Sequence, residues 1–289
     1  MTKKLLSIRS LSIEDIKSFL EEQQIPSFRS KQIYDWLWKK NAGTFEEMKN
    51  IGKGLQGVLT EHFSIDKIVL KDEQLSVDKT LKCAFSIDEK SVVEGVLIPT
   101  TRRMTACISS QVGCSLACSF CATGKLKLLR NLSAGEIYDQ VYYLKKEAEK
   151  RHDKSLSNIV YMGMGEPLLN YKNVLSSIDK ICSTDGLGMS PKRITVSTAG
   201  ICKMIKKLGD DEVKFNLALS LHAANDSKRN KIMEINESNN LASLKESLEY
   251  FHEKTGSRVT FEYIIFDGFN DTIDDARELA DFARCVPCK

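Results

Sequence analysis

Apolar residues recur at helical spacing in "LSIEDIKSFLEEQQ" and in "FRSKQIYDWLWKK", which predicts two N-terminal helices, the second carrying Trp36 and Trp38. The two tryptophans are expected in the core, with stacking on a nucleic-acid base as the alternative. "LKCAFSI" and "SVVEGVLIP" alternate apolar and polar positions, as the two strands of a hairpin turning at "DEK" do. From about residue 104 the rhythm changes. Strand "MTACIS" leads through a cysteine-rich loop to helix "SAGEIYDQVYYLKKEAEK", where Ser133 and Glu136 form a capping box. Strand "SNIVYMG" precedes helix "YKNVLSSIDKICS", and strand "RITVST" precedes a helix through "CKMIKKLG". Strand "VKFNLALSL" with helix "LASLKESLEYFHEK", then strand "VTFEYIIF" with helix "IDDARELADFAR", complete the alternation. Five strand–helix units in series predict an α/β fold with a parallel sheet, preceded by a small helical module. Residues 1–90 are read as that module with its linking strands and residues 91–289 as the sheet domain, with "CVPCK" hanging off the last helix. Periodicity does not choose between barrel and open sheet.

Composition narrows the class. No apolar run approaches the roughly 18 residues a membrane span needs. Arg9, Glu14 and Asp15 break any signal-peptide core at the N-terminus, so a cytoplasmic protein without membrane contact is expected. Nine cysteines without an export signal argue against a disulfide framework. Cys83, Cys182 and Cys202 sit among apolar neighbours and read as small core residues. The net charge of +3 carries no gross signature of nucleic-acid binding. The basic clusters Arg102/Arg103, Lys125/Lys127/Arg130, Lys145 to Lys154 and Lys228/Arg229/Lys231 read as solvated faces.

The chemistry concentrates in "GCSLACSFCATG", which places Cys114, Cys118 and Cys121 in one loop. Three is too many for a disulfide and one short of a closed zinc or cubane site. Three thiolates on a four-iron cluster leave one iron open to bind a small molecule. The competing possibility is a zinc site completed by Cys107 or by Cys285 and Cys288. The later strand ends add ligand-binding groups at one mouth. "YMGMGEP" supplies glycine backbone at Gly163 and Gly165 and the carboxylate of Glu166, "VSTAG" supplies Ser197, and "LALSLH" supplies Ser220 and His222.

The C-x3-C-x2-C loop with Phe120 before its last cysteine resembles the cluster loop of the radical S-adenosylmethionine (SAM) superfamily. "VVEGVLIPTTRRMTACISSQVGCSLACSFCATGKLKLLRNLSAGEIYDQV", "GMGEPLLNY", "RITVSTAG" and "LALSLHA" narrow the resemblance to the radical SAM adenine-C2 methyltransferases of 23S rRNA and tRNA. The "FRSKQIYDWLWKK…FEEMKNIGKGL" module resembles that family's N-terminal RNA-binding accessory domain. The resemblance implies a partial (βα) barrel of radical SAM type ending before its sixth strand, with a small N-terminal helical accessory domain. It implies a [4Fe-4S] cluster on Cys114, Cys118 and Cys121. It places SAM against Gly165, Glu166, Ser197 and the Ser220–Leu221–His222 run. Glu94 would be the general base and Cys107 the thiol that resolves a methylated cysteine through a transient disulfide. The implied partners are 23S rRNA, tRNA and a reducing donor such as flavodoxin, acting on a monomer. The family's methyl-carrying cysteine and a SAM-contacting asparagine lie beyond residue 289, so the chain is expected to be a fragment, inactive alone. Cys285 and Cys288 are not read as methyl carriers. The alternatives are the sister adenine-C8 methyltransferases, another radical SAM enzyme acting on a small molecule or protein, and a zinc-stabilised RNA-binding protein without catalysis.

Overall fold

The computed structural model describes residues 5–289. The chain opens with β1 (Leu6–Ser7), α1 (Ile13–Glu22), α2 (Arg29–Trp38), α3 (Lys53–His62) and β2 (Phe63–Ser64), the last pairing in parallel with β1. Ser12 starts α1 by a reciprocal cap: its hydroxyl accepts the Asp15 N–H at 3.0 Å, and the Asp15 carboxylate accepts the Ser12 N–H at 2.9 Å. Ile16 and Leu20 from α1 and Ile33, Leu37 and Trp38 from α2 bury the helical core. Trp38 is the core residue expected; Trp36 is half-buried, its indole N–H donating to Asn50 and the Lys40 ammonium 3.8 Å above its ring.

There follow β3 (Val69–Leu75), β4 (Leu81–Ser86), β5 (Val92–Pro99), β6 (Met104–Cys107), β7 (Gln111–Val112), β8 (Arg130–Asn131), α4 (Ala134–His152) and β9 (Asn158–Tyr161). The remainder is α5 (Tyr171–Cys182), β10 (Ile194–Thr198), α6 (Cys202–Asp210), β11 (Asn216–Ser220), α7 (Asp226–Ile232), α8 (Leu241–Thr255), β12 (Val259–Glu262) and α9 (Ile273–Ala283). Eight strands form one sheet in the order β12-β11-β10-β9-β6-β5-β4-β3. The five strands β6, β9, β10, β11 and β12 are parallel, and β5, β4 and β3 extend them as an antiparallel meander. Because β3 and β12 form opposite edges, the barrel is open, a partial (βα) barrel. The β4–β5 hairpin straddles residue 90 within this one sheet.

A buried and a half-buried cation on the N-terminal part tie it to the barrel. Arg9 Nη1 donates to Asp139 on α4 at 2.8 Å and Lys67 Nζ reaches the same carboxylate at 2.9 Å. The Arg9 guanidinium also stacks 4.7 Å above Trp38, and the Tyr138 hydroxyl donates to the Trp38 carbonyl. The capping box of Ser133 and Glu136 starts α4 as expected.

Three expectations are corrected. The terminal "CVPCK" does not hang free: the Val259 N–H donates to the Pro287 carbonyl, the Lys289 N–H to the Val259 carbonyl and the Phe261 N–H to the Lys289 carbonyl, so the tail covers part of the β12 edge. Arg229, read as part of a solvated cluster, is fully buried, and Lys228 beside it pairs with Asp275 at 2.6 Å. Cys83 is in the core, whereas Cys182 and Cys202 are half-buried and only flank it. No helix of the described residues is long and apolar enough to cross a membrane.

Candidate active site

The short β7–β8 pair closes the loop that carries the three cysteines. Gly113 starts it with φ +77°, and a Cβ there would meet the Lys127 carbonyl at 2.1 Å, so only glycine passes this point. Within the loop the Cys121 N–H donates to the Cys118 carbonyl at 3.0 Å, and the Ser119 N–H donates to Ile232 at the end of α7, also at 3.0 Å. Cys114, Cys118 and Cys121, all free thiols, line one cavity of about 380 Å³. Burial pushes the Cys114 and Cys118 thiols up, Cys118 to about 11, and the neighbouring sulfurs add to the effect. A bound metal centre replaces those protons.

The opposite wall of the cavity is built from strand ends. Gly165 has φ +95°, and a Cβ there would strike Gln111 at 2.4 Å. Glu166, next in sequence, is buried; its carboxylate accepts the Leu168 N–H at 3.0 Å and the Ala199 N–H at 2.8 Å. Burial outweighs those two bonds and pushes its carboxyl up to about 7. The hydroxyls of Ser197 and Ser220, from β10 and β11, lie 3.4 Å apart at the mouth. His222 is buried in a left-handed backbone conformation (φ 55°), with its ring edge-on to Phe120 at 4.7 Å. Burial and the Arg229 charge lower its pKa to about 4, so the imidazole is neutral at pH 7. Its Nδ1 accepts the Ile264 N–H at 3.2 Å, which leaves the proton on Nε2.

The structure brings together Cys114, Cys118, Cys121, Gly165, Glu166, Ser197, Ser220 and His222. Leu221 is separate: its side chain is fully buried in the core, and only its backbone is near the site. Glu94 and Cys107 do not line the cavity, but strand register sets them on the same face of the sheet as Ser197 and Ser220. Cys107 pairs with Val96 on one side and Val160 on the other, and Val160 pairs with Thr195. Glu94 stands two residues from Val96, Ser197 two from Thr195, and side chains two apart share a face. Glu94 is exposed there, with Lys82 at 2.7 Å. Burial pushes the Cys107 thiol up to about 11.

Three buried residues of the site carried no signal in the sequence. Gln111 accepts the Glu166 N–H at 2.8 Å and donates to Asn131 at 2.7 Å, joining the cysteine loop to the Gly165 turn. Asn270 donates to the His222 carbonyl at 2.6 Å and fixes its strained backbone. Arg229 donates to the carbonyls of Ala199, Ser220 and Leu221. Each acts through long-range hydrogen bonds to backbone, for which no local spacing exists.

The donor set fits an iron–sulfur cluster with an adjacent polar ligand: three thiols from one loop, facing hydroxyl, carboxyl and imidazole groups across a cavity. A zinc site completed from the C-terminus is not supported, because Cys288 lies beside Val259 at the start of β12, whereas the cavity is at Glu262, its other end. Among the described residues no three His, Cys, Asp or Glu side chains are gathered closely enough for a single ion.

Comparison with known proteins places this geometry. The family model described as the radical SAM superfamily matches residues 108–283, and that of the ribosomal RNA large subunit methyltransferase N-terminal domain matches residues 6–65. A probable dual-specificity RNA methyltransferase RlmN of Cytophaga hutchinsonii is 58% identical over 98% of this chain and 77% of its own length. The protein of the same name from Flavobacterium psychrophilum is 51% identical over 98% of this chain and 81% of its own. The crystal structure of a radical SAM methyltransferase from Sphaerobacter thermophilus superposes with a TM-score of 0.91 at 34% identity, covering 98% of this chain and 83% of that one. With the radical SAM model over residues 108–283, the N-terminal domain model over residues 6–65 and a relative 58% identical over nearly the whole chain, the chain belongs to the RlmN family of radical SAM RNA methyltransferases.

Proposed function

We propose that the enzyme methylates C2 of adenine in 23S rRNA and tRNA, through a methylated cysteine carried by the family's C-terminal segment. The observation that carries this reading is a single sheet face joining the cysteine-lined cavity to Glu94 and Cys107. The family's [4Fe-4S] cluster and SAM supply the radical chemistry that an electron-poor aromatic carbon requires. In this reading Cys114, Cys118 and Cys121 hold the cluster. The Gly165 backbone, the Glu166 carboxyl, the Ser197 and Ser220 hydroxyls and the His222 Nε2–H orient SAM, with Leu221 contributing backbone only. Glu94 takes the proton that C2 must lose to regain aromaticity. Cys107, a thiol at neutral pH, needs deprotonation before its thiolate attacks the sulfur that joins protein to C2; the transient disulfide forms as the sulfur–carbon bond breaks, and the released carbon keeps the electron pair and takes a proton to become the methyl group.

Residues 1–90, the helical module with its linking strands β3 and β4, serve as the RNA-binding part and residues 91–289 as the catalytic barrel, whose sheet those two strands extend. Supporting this, the exposed Phe28 ring carries the Arg29 guanidinium at 4.9 Å, and Trp36 carries Lys40. Paired aromatic and cationic groups suit unstacked bases and phosphates. The enzyme acts as a cytoplasmic monomer with a reducing partner such as flavodoxin. The test is nucleoside mass analysis of 23S rRNA fragments and tRNA after reaction with SAM, reductant and the anaerobically reconstituted enzyme that includes the family's C-terminal segment. Formation of 2-methyladenosine is the expected result; 8-methyladenosine alone would assign the sister chemistry.

A further inference from the structure

Arg229 is fully buried, and every acceptor it meets is neutral. Nη2 donates to the Ala199 carbonyl at 2.7 Å and the Ser220 carbonyl at 3.2 Å, Nε to Leu221 at 3.1 Å, and Nη1 to the Asn236 amide oxygen at 2.6 Å. Asp226 is held at one remove: the Asn236 amide nitrogen donates to it at 2.8 Å, so an amide separates guanidinium from carboxylate. A buried cation without a contacting anion is costly unless an anion stands nearby. The place for one is in front of it. Ala199 and Ser220 line the cavity, and α7, which carries Arg229, holds the cysteine loop through Ser119 and Ile232.

We propose that Arg229 is a positioning residue whose fixed charge, held behind the cavity wall by Ala199 and Ser220, raises the reduction potential of the cluster on Cys114, Cys118 and Cys121. Reduction takes one electron from a one-electron donor and transfers no atom or proton. It makes the cluster with its three thiolates one unit more negative, and a cation fixed in a poorly hydrated wall favours that state. The same hydrogen bonds brace the ends of β10 and β11, so charge and brace must be separated experimentally.

The inference rests on the assignment of the cluster to the three cysteines; a wild-type protein that reconstitutes without iron would overturn that assignment, not the role of the charge. The experiment is a spectroscopically monitored dithionite titration of the reconstituted protein without SAM or RNA, with iron content measured for each sample. At the wild-type midpoint, Arg229→Gln is expected to show a reduced-to-oxidised ratio at least about tenfold lower, and Arg229→Lys a ratio near that of wild type. Should Arg229→Gln fail to fold, the double exchange Asp226→Asn with Asn236→Asp moves the carboxylate onto the guanidinium; the Asn230 amide must then turn to donate to residue 236, and the exposed Leu241 N–H, which shares the Asp226 oxygen, exchanges that acceptor for water. The exchanged pair is expected to lower the ratio in the same direction. A wild-type potential in iron-loaded Arg229→Gln or in the exchanged pair would overturn the proposal, as would a fall in Arg229→Lys equal to that in Arg229→Gln.

Discussion

The Glu166 carboxylate accepts the Ala199 N–H at 2.8 Å, tying the turn after β9 to the end of β10 through a buried acid. Burial raises that acid from 4.5 to about 7. Between those values the folded chain keeps a proton that the unfolded chain has released. Its contribution to stability is therefore complete below about pH 4.5 and is lost as pH rises through 7. Glu166→Gln removes this dependence. In urea unfolding of the cofactor-free protein, the difference between wild type and variant is expected to change by about 3 kcal/mol between pH 4.5 and 8. An equal difference at both ends would show that Glu166 is not held neutral by its surroundings.

Removing one sulfur from the loop tests its ligand role. Anaerobic reconstitution of the wild type is expected to give about four iron and four sulfide per chain, and Cys118→Ala to lose most of it. Full iron incorporation by that variant would move the ligand elsewhere.

Glu94 sits outside the cavity, paired only with Lys82 on an open sheet face. A base that acts late leaves earlier steps untouched. Glu94→Gln in the active enzyme is expected to cleave SAM normally, to lose about 10²- to 10⁴-fold in methylated product and to accumulate RNA joined to protein. Wild-type turnover would reduce Glu94 to a strand residue.

Asp139 answers both Arg9 and Lys67 in the seam between the helical module and α4. Asp139→Ala leaves two buried or half-buried cations without a counter-charge, and a loss of about 3–5 kcal/mol is expected in denaturant unfolding. A loss below about 1 kcal/mol would mean the module is held by apolar packing around Trp38 instead.

Much of this site is legible in the sequence because its chemistry is written in local spacing. Three cysteines in eight residues, and the polar or glycine ends of successive strands, converge as soon as the strands are laid in parallel. The sequence pattern fails where contacts are distant or cancel. β3 reads "VLKDEQL" and is almost wholly exposed, so it shows no apolar alternation; its pairing with β4 makes it a strand. Helix α7 spans seven residues, too few for a period, and its Arg229 looks like surface charge until its carbonyl acceptors are seen. Leu221 lies between Ser220 and His222 in sequence yet turns into the core.

The most direct measurement is mass analysis of nucleosides from 23S rRNA and tRNA of cells with the intact gene, without it, and with it restored. Adenine-C2 methylation predicts 2-methyladenosine in both RNAs, lost on deletion and recovered on restoration. Unchanged 2-methyladenosine in the deletion strain, alone or with loss of 8-methyladenosine, would contradict it.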